Sequence, residues 1–370
     1  MESLGGLLVA DFSRVLAGPY ATMLLADLGA DVVKVERPDG GDDTRSWGPP
    51  YADGQATYFL GVNRNKRSIA LDLRDPADLE VARALVARAD VLMENFRPGT
   101  MERLGLGYEQ ARALNPGLVY CSVTGFGAGK GADLPGYDLV VQAAGGLMSV
   151  TGEPSGPGTK TGVALVDVIT GLHAALGVLA ALRHRDATGH GQRVEVSLLT
   201  SLLSALANHA SAFAAAGVVP RAMGNRHPSI VPYEVFEAAD RPIVIAAGND
   251  RQFRALCAVL GRDDLAADPR YATNAGRVEH RESLVPELSR ALATATADAW
   301  FASLTSAGVP CGPINDVAEA FALAASLGFE PVVDGQVANP IGLGLTPASY
   351  RLPPPGLGQD AAWVREILGR

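Results

Sequence analysis

Short apolar runs alternate with amphipathic stretches through the first 127 residues, and this alternation narrows the possible folds more than any other feature of the chain. "LLVADFS" (7–13) reads as a buried strand. The helix "GPYATMLLADLGA" (18–30) follows, with Pro19 near its start, where a missing N–H costs nothing. "DVVKVER" (31–37) is a second strand. "SIALDL" (68–73) and "DVLMENF" (90–96) are strands on either side of the helix "DPADLEVARALVARA" (75–89). "GLVYCSVTGFG" (117–127) is a strand running into a Gly-rich loop. Strands alternating with helices predict a parallel, doubly wound α/β sheet.

Long apolar helices are expected from about 138 to 216. Residues 196–220 carry no formal charge, but Ser197, Thr200, Ser201, Ser204, Asn208, His209 and Ser211 make the stretch too polar for a bilayer span. It is expected to be a buried helix at a subunit contact. The pattern then changes. "PYEVFEAADRPIVIAAGNDRQF" (232–253) reads as two short strands about a turn at Asp240 and Arg241, and the helical stretches after it complete a smaller α+β unit. "VPCGPINDVAEAF" (309–321) leads back towards the first domain, and a Pro-rich turn and short helix end the tail. The expected division is therefore residues 1–200 as the first part of a large domain, 201–225 as a linker helix, 226–308 as a small domain, and 309–370 as a return linker with the rest of the large domain.

Two domains fit the 370 residues. With 48% hydrophobic and 19% charged residues, a sizeable core is expected and disorder is not. The net charge of −9 argues against a general nucleic-acid binder, so an anionic ligand would need a local basic patch. Cys121, Cys257 and Cys311 are far apart, without a CxxC pair, and make neither a disulfide framework nor a zinc site. The opening "MESLGGLLVADFSR" has no basic region followed by a long apolar one. No signal peptide and a reducing, cytoplasmic setting are expected.

Several familiar motifs fail on inspection. A phosphate loop ending at "GK" in "GFGAGKGAD" (125–133) needs Gly at 124 and Ser or Thr at 131, where the chain has Thr124 and Gly131. "GLGYEQ" (105–110) lacks the third Gly of a dinucleotide fingerprint. The six histidines show no HExxH and no metal-ligand spacing. Cys121, at a strand end, is more naturally a buried structural thiol than a nucleophile.

The basic residues are more informative. "NRNKRSIALDLR" (63–74) holds Arg64, Lys66, Arg67 and Arg74 against one acid, Asp72, and Arg37, Arg97 and Arg103 fall at or just beyond strand ends. Ligands of open α/β sheets bind beyond the carboxyl ends of the strands, so such cations are candidates for gripping phosphates. They could equally be a solvated surface run. Asp167 is the only formal charge between Lys160 and Arg183. An acid in so apolar a stretch is paired, hydrogen-bonded or used. On a helix it shares a face with Gly171, Ala174 and Val178, whose small side chains leave room for another backbone or a ligand. It could also simply cap the helix that follows.

Taken together, "GPYATMLLADLGADVVKVERPDGGDDTR" (18–45), "NRNKRSIALDLR", "ADVLMENFRPGTMERLGLGYE" (89–109), "NPGLVYCSVTGFG", "GYDLVVQAAGGLMSVTG" (136–152), "TGHGQRVEVSLL" (188–199) and "GNRHPSIVPYEVF" (224–236) resemble the family III CoA-transferases. That group includes formyl-CoA transferase and the carnitine CoA-transferases, and its superfamily contains 2-methylacyl-CoA racemase. The resemblance implies an interlocked homodimer, each subunit with a Rossmann-like large domain and a small domain. It implies an acyl-CoA:carboxylate CoA-transferase with acyl-CoA and a carboxylic acid as substrates and no resident cofactor or metal. The family's catalytic carboxylate matches Asp167 in "VDVITG". Its CoA-contacting positions match Arg37, Leu71, Arg74, Asn95, Phe96, Arg103 and Tyr137. Backbone N–H groups near Gly248 are candidates for stabilising an oxyanion. Leu16, Trp47, His227 and Tyr233 are candidates for the acyl pocket or for plain packing.

The racemase branch has His where this chain has Tyr137. A phenol with a pKa of about 10 is a poor base at neutral pH, which favours transfer over racemisation. A CoA-binding protein without activity is the remaining alternative. Formyl-CoA transferase carries Gln at the position of Leu16 and a run of glycines in place of "AAGNDRQ" (246–252). These departures point away from the formyl and oxalate pair and towards a less polar acyl group.

Overall fold

The computed structural model describes residues 2–369. The chain forms two compact units. The larger consists of the described residues up to Met148, Lys160–Pro220, and those from Pro331 onward. The smaller consists of Ser149–Thr159 and Arg221–Glu330.

The larger unit is built on six parallel strands: β1 (Leu8–Asp11), β2 (Asp31–Glu36), β3 (Lys66–Ala70), β4 (Val91–Glu94), β5 (Val119–Thr124) and β6 (Arg193–Ser197). Their order is β3-β2-β1-β4-β5-β6. The chain winds one way from β1 to β3 and the other way from β4, so the order reverses between β1 and β4. A crevice opens there at the carboxyl ends, because the connections leave in opposite directions. The expected parallel α/β sheet is present.

Its two faces are packed by separate apolar clusters. On one, helix α1 (Ala17–Asp27) and the 24-residue helix α4 (Leu165–Thr188) cover Val9, Val32, Val91 and Val119. On the other, α2 (Pro76–Arg88) covers Ala10, Val33, Ile69 and Leu92. α2 starts on Asp75, whose side chain accepts from Ala77 N–H and Asp78 N–H, with Pro76 in the first turn. The α1–α4 contact is close: a Cβ on Gly171 would lie 2.6 Å from the Ala17 carbonyl oxygen, so the backbones meet where no side chain intervenes. Between β5 and α4 lies α3 (Asp138–Ala144).

Three expectations change. β6, "RVEVS", interrupts the stretch expected to be helical from 138 to 216. It is an edge strand with mostly part-exposed residues, and so lacks the continuous apolar run of the inner strands. Residues 196–220 are not one buried helix. Ser197 caps α5 (Leu198–Ala205), which meets α6 (Ala207–Ala216) at a bend of 85°, and α6 has no buried residue. The domain division also moves. β9 (Cys311–Pro313) pairs with β8 (Pro242–Ala246), which pairs with β7 (Tyr233–Glu237), giving an antiparallel sheet that holds the segment after 309 in the smaller unit. The Ala222 and Gly224 N–H groups donate to the Ser149 and Gly152 carbonyls, which brings 149–159 there too. The smaller unit's core joins Phe236, Ile243 and Ile245 to Phe253, Leu256, Leu284 and Leu304 from its helices.

Most of the basic cluster is consumed inside the larger unit. Arg64 forms a buried ion pair with Asp27 at 2.6 Å, and Lys66 one with Asp11 at 3.1 Å. Arg67 bonds Asp31 at 2.9 Å and stacks on Trp363 at 3.8 Å. These cations hold the fold together and are not free for phosphates. The Asp27 carboxylate also accepts from Asn65 and Asn339. Asn65, in turn, accepts from the Arg351 and Leu352 N–H groups and donates to the Ser349 carbonyl. The segment from Pro331 is thereby tied to the first helix and the third strand.

Candidate active site

A cleft of about 310 Å³ opens at the carboxyl ends of β1, β4 and β5, at the reversal in strand order. Asp167 lines it with Arg14, Leu16, Asn95, Phe96, Arg97 and Tyr137, together with the 123–127 and 131–136 loop segments. The Gly-rich stretch that resembled a phosphate loop is therefore part of the wall. It folds back on itself where Gly125 and Gly136 touch: a Cβ on Gly125 would sit 2.5 Å from the Gly136 Cα.

The chain from Arg14 to Leu16 is clamped from two sides. The Asn95 side chain accepts from Arg14 N–H at 2.9 Å and donates to the Arg14 carbonyl at 2.7 Å. Asp42 accepts from Val15 N–H at 3.3 Å and is itself fixed by the buried Lys34 ammonium at 2.8 Å and by Thr44. Burial opposes the Asp42 charge, but Lys34 and the bonds from Thr44 together outweigh it and hold the pKa at about 2. Between the clamps Val15 adopts φ = 69°, a left-handed conformation costly for a β-branched residue. Strain of this kind persists where the surroundings over-determine the backbone. The Arg14 guanidinium lies over the Phe96 ring at 4.6 Å.

Asp167 sits in the first turn of α4 but does not cap it, because Ala164 occupies the cap position. The cap comes from Asp138, the first residue of α3. One oxygen accepts from Val166 N–H at 2.8 Å and Asp167 N–H at 3.2 Å, while the other accepts from the Gln142 amide at 2.5 Å. Gln142 is oriented by Thr161 N–H, which donates to its carbonyl oxygen at 2.9 Å. The Asp167 carboxyl has no hydrogen-bond or ion-pair partner among the described residues. Burial, and then repulsion from Asp138, push its pKa up to about 7. A carboxylate of that basicity, facing a cleft and otherwise unengaged, can act as a nucleophile or a base. The remainder of its face, Gly171, Ala174 and Val178, is buried, and Gly171 meets α1.

The cleft brings together Asp167, Leu16, Asn95, Phe96 and Tyr137. Arg37, just after β2, pairs with Asp43 at 2.6 Å, and Asp43 lines the cleft. Leu71 is buried and extends the β2–β3 pairing through its N–H to the Glu36 carbonyl. Arg74 is exposed and paired with Asp72, and Arg103 donates to Thr100. These three lie outside the cleft lining. Trp47 packs edge-on against Tyr58, with ring centroids 5.3 Å apart. His227, Tyr233 and Gly248 belong to the smaller unit. There the His227 and Tyr233 rings lie 5.2 Å apart, and Gly248 N–H donates to the Gln252 side chain at 3.0 Å, so that amide is already engaged. The sequence did not reveal Arg14, Val15, Asp42 or Asp138 as site residues. Their partners lie 27 to 81 residues away and leave no local pattern. Among the described residues, no group of three or more His, Cys, Asp and Glu side chains is placed to hold a metal ion.

Comparisons with known proteins place the chain in a family. The family model of CoA-transferase family III matches residues 4–361. The chain is 45% identical to the succinate–glutarate CoA-transferase of Agrobacterium fabrum, over 98% of this chain and 94% of that protein. It is 40% identical to the mouse succinyl-CoA:glutarate CoA-transferase, over 100% and 87%. Among solved structures, a CAIB/BAIF family protein from Brucella suis is similar with a TM-score of 0.89 and 42% identity, covering 99% of both chains. The chain therefore belongs to CoA-transferase family III and is an enzyme that passes CoA between an acyl-CoA and a carboxylate.

Proposed function

We propose that this enzyme transfers CoA by covalent catalysis on Asp167. A half-buried, partnerless carboxylate with its pKa raised to about 7, facing a cleft at the switch point of the sheet, is the observation that carries the proposal. An Asp167 oxygen attacks the donor thioester carbonyl. The C–S bond breaks, CoA leaves as thiolate, and an acyl-aspartyl anhydride remains. The thiolate attacks the aspartyl carbonyl, releasing the donor acid and leaving an aspartyl-CoA thioester. The acceptor carboxylate attacks this thioester to form a second anhydride and thiolate. Attack of that thiolate on the acceptor's carbonyl yields the new acyl-CoA and free Asp167. The activation of the donor thioester is carried through the anhydrides and the aspartyl-CoA thioester and is never lost to water, so no nucleotide hydrolysis and no resident cofactor is required.

Arg37, Arg97 and Arg103 are proposed to meet the phosphates of CoA, with Asn95, Phe96 and Tyr137 along its path. Leu71 and Arg74 are proposed for its nucleotide end. The names of the relatives suggest short diacids as donor and acceptor. Arg14 in the cleft is a cation suited to their second carboxylate. This replaces the less polar acyl group inferred from Leu16. A homodimer is supported by the apolar side chains that the larger unit leaves exposed, among them Leu176, Phe213, Val219 and Leu345.

Oxygen labelling tests the covalent route. With an acceptor acid carrying ¹⁸O in its carboxylate, one labelled oxygen ends in the Asp167 side chain after turnover. The peptide containing Asp167 should gain about 2 Da, and Asp167→Ala should bind CoA without transferring it. Turnover that leaves Asp167 unlabelled would refute the route.

A further inference from the structure

The N-terminus of α4 ought to favour ionised Asp167. Its unpaired N–H groups and the dipole of a 24-residue helix both stabilise a carboxylate in the first turn. Asp138 is placed to cancel both effects. Its Oδ1 occupies the N–H groups of Val166 and Asp167, and its Oδ2 is anchored by Gln142, so the carboxylate cannot swing away from the helix end. The anchoring extends to the backbone through Thr161 N–H. Holding one carboxylate against another in this way is unfavourable for folding, and Gln142 helps to maintain it.

We propose that Asp138 is a positioning residue: anchored by Gln142, it caps the catalytic helix and keeps a second negative charge against Asp167, which makes Asp167 a stronger nucleophile. This rests on Asp167 being the reacting carboxylate. A carboxylate at an uncompensated helix N-terminus would be a weak base and a correspondingly weak nucleophile towards a thioester.

The other groups facing Asp167 in the larger unit do not replace this effect. Tyr58, from the short helix Thr57–Leu60, is close enough for the Asp167 charge to push its phenol up, after burial. In the same cleft Arg14 stacks on Phe96 and Asp43 pairs with Arg37, while Arg97, Asp133 and Tyr137 are exposed. From α1 the neighbour is the Tyr20 ring beside Gly171. On α4 itself His173 is bonded to Ser201 at 3.0 Å. Among these, Asp138 alone bonds the Asp167 backbone.

The test uses full-length enzyme labelled with ¹³C at aspartate Cγ, with Asp167→Asn identifying the Asp167 resonance. In the unaltered enzyme this resonance should titrate near neutral pH. Asp138→Asn keeps an oxygen to accept from the two N–H groups but removes the charge, and Asp138→Ser removes the charge with a smaller cap. In each variant that folds, the titration should fall by at least one pH unit, and the acid limb of kcat/KM should fall with it. Asp138→Glu retains the charge and should restore the original midpoint. A wild-type midpoint in the ordinary carboxylate range would overturn the proposal, as would an unchanged midpoint in the neutral variants. If the titration behaves as expected but Asp167 acquires no ¹⁸O, the covalent route fails and with it the effect on nucleophilicity, while the capping of α4 by Asp138 and its hold on the Asp167 titration stand.

Discussion

Asp167 should destabilise the folded enzyme at the pH where it works, and Asp167→Asn should expose that cost. Its carboxyl has an ordinary pKa of 3.8 and a folded value of about 7. The native state therefore holds this proton more tightly than the unfolded chain does. Below pH 3.8 the group is protonated in both states and costs nothing. As the pH rises towards 7 the unfolded chain ionises first, and stability falls. Above 7 the loss is complete. At about 1.4 kcal/mol per pKa unit the full penalty is roughly 4 kcal/mol, of which about 2–3 kcal/mol accrues between pH 5 and pH 8. Asn has no proton to lose. The stability of Asp167→Asn relative to wild type should therefore improve by about 2–3 kcal/mol between those two pH values, while transfer is abolished. Urea unfolding of both proteins at pH 5 and pH 8 measures this difference directly. The same stability gap at both pH values, or a variant less stable than wild type at pH 8, would show that Asp167 is neither desolvated nor repelled as described.

Three further outcomes follow from the packing around the cleft. Gly171→Ala places a Cβ 2.6 Å from the Ala17 carbonyl, so the gain in helix propensity of about 1 kcal/mol should be outweighed by overpacking of about 1–3 kcal/mol. Thermal unfolding should show the loss, and kcat should fall more than tenfold as α1 shifts relative to Asp167. Lys34→Met leaves Asp42 buried without its cation and should cost about 3–5 kcal/mol in urea unfolding at pH 7. The deficit should shrink towards pH 2, as Asp42 is protonated through its folded value of about 2. Asn95→Ala releases both bonds to Arg14 and should raise KM for acyl-CoA about tenfold with little change in unfolding midpoint, a split that steady-state kinetics resolves.

The parallel sheet was legible because its inner strands are apolar runs punctuated by helices, as "LLVADFS" and "DVVKVER" show. β6 was not, because "RVEVS" is a short edge strand set between two helical stretches and its polar residues face outward. Asp167 stood out by being alone in an apolar segment. The identity of its cap did not, since Asp138 lies 29 residues earlier and only the folded chain brings them together. The basic cluster misled for the same reason. Arg64 and Lys66 look solvated beside their sequence neighbours, whereas their acidic partners, Asp27 and Asp11, come from 37 and 55 residues upstream. Local pattern reports periodicity and exposure well. It reports nothing about which distant charge neutralises which.

The tie between the segment from Pro331 and the start of the chain constrains how the molecule is made. Asp27, Arg64 and Asn65 are buried, and each bonds atoms that lie more than 270 residues later in the sequence. During synthesis these groups emerge early and have only one another as partners while the smaller unit is produced. Closing a loop of that length is slow, and until the segment arrives the Asp27–Arg64 pair lacks the bonds to Val337 and Asn339 that complete it. The larger unit is thus assembled from both ends of the chain, and the bonds that join its first helix to the returning strap are the last it can make.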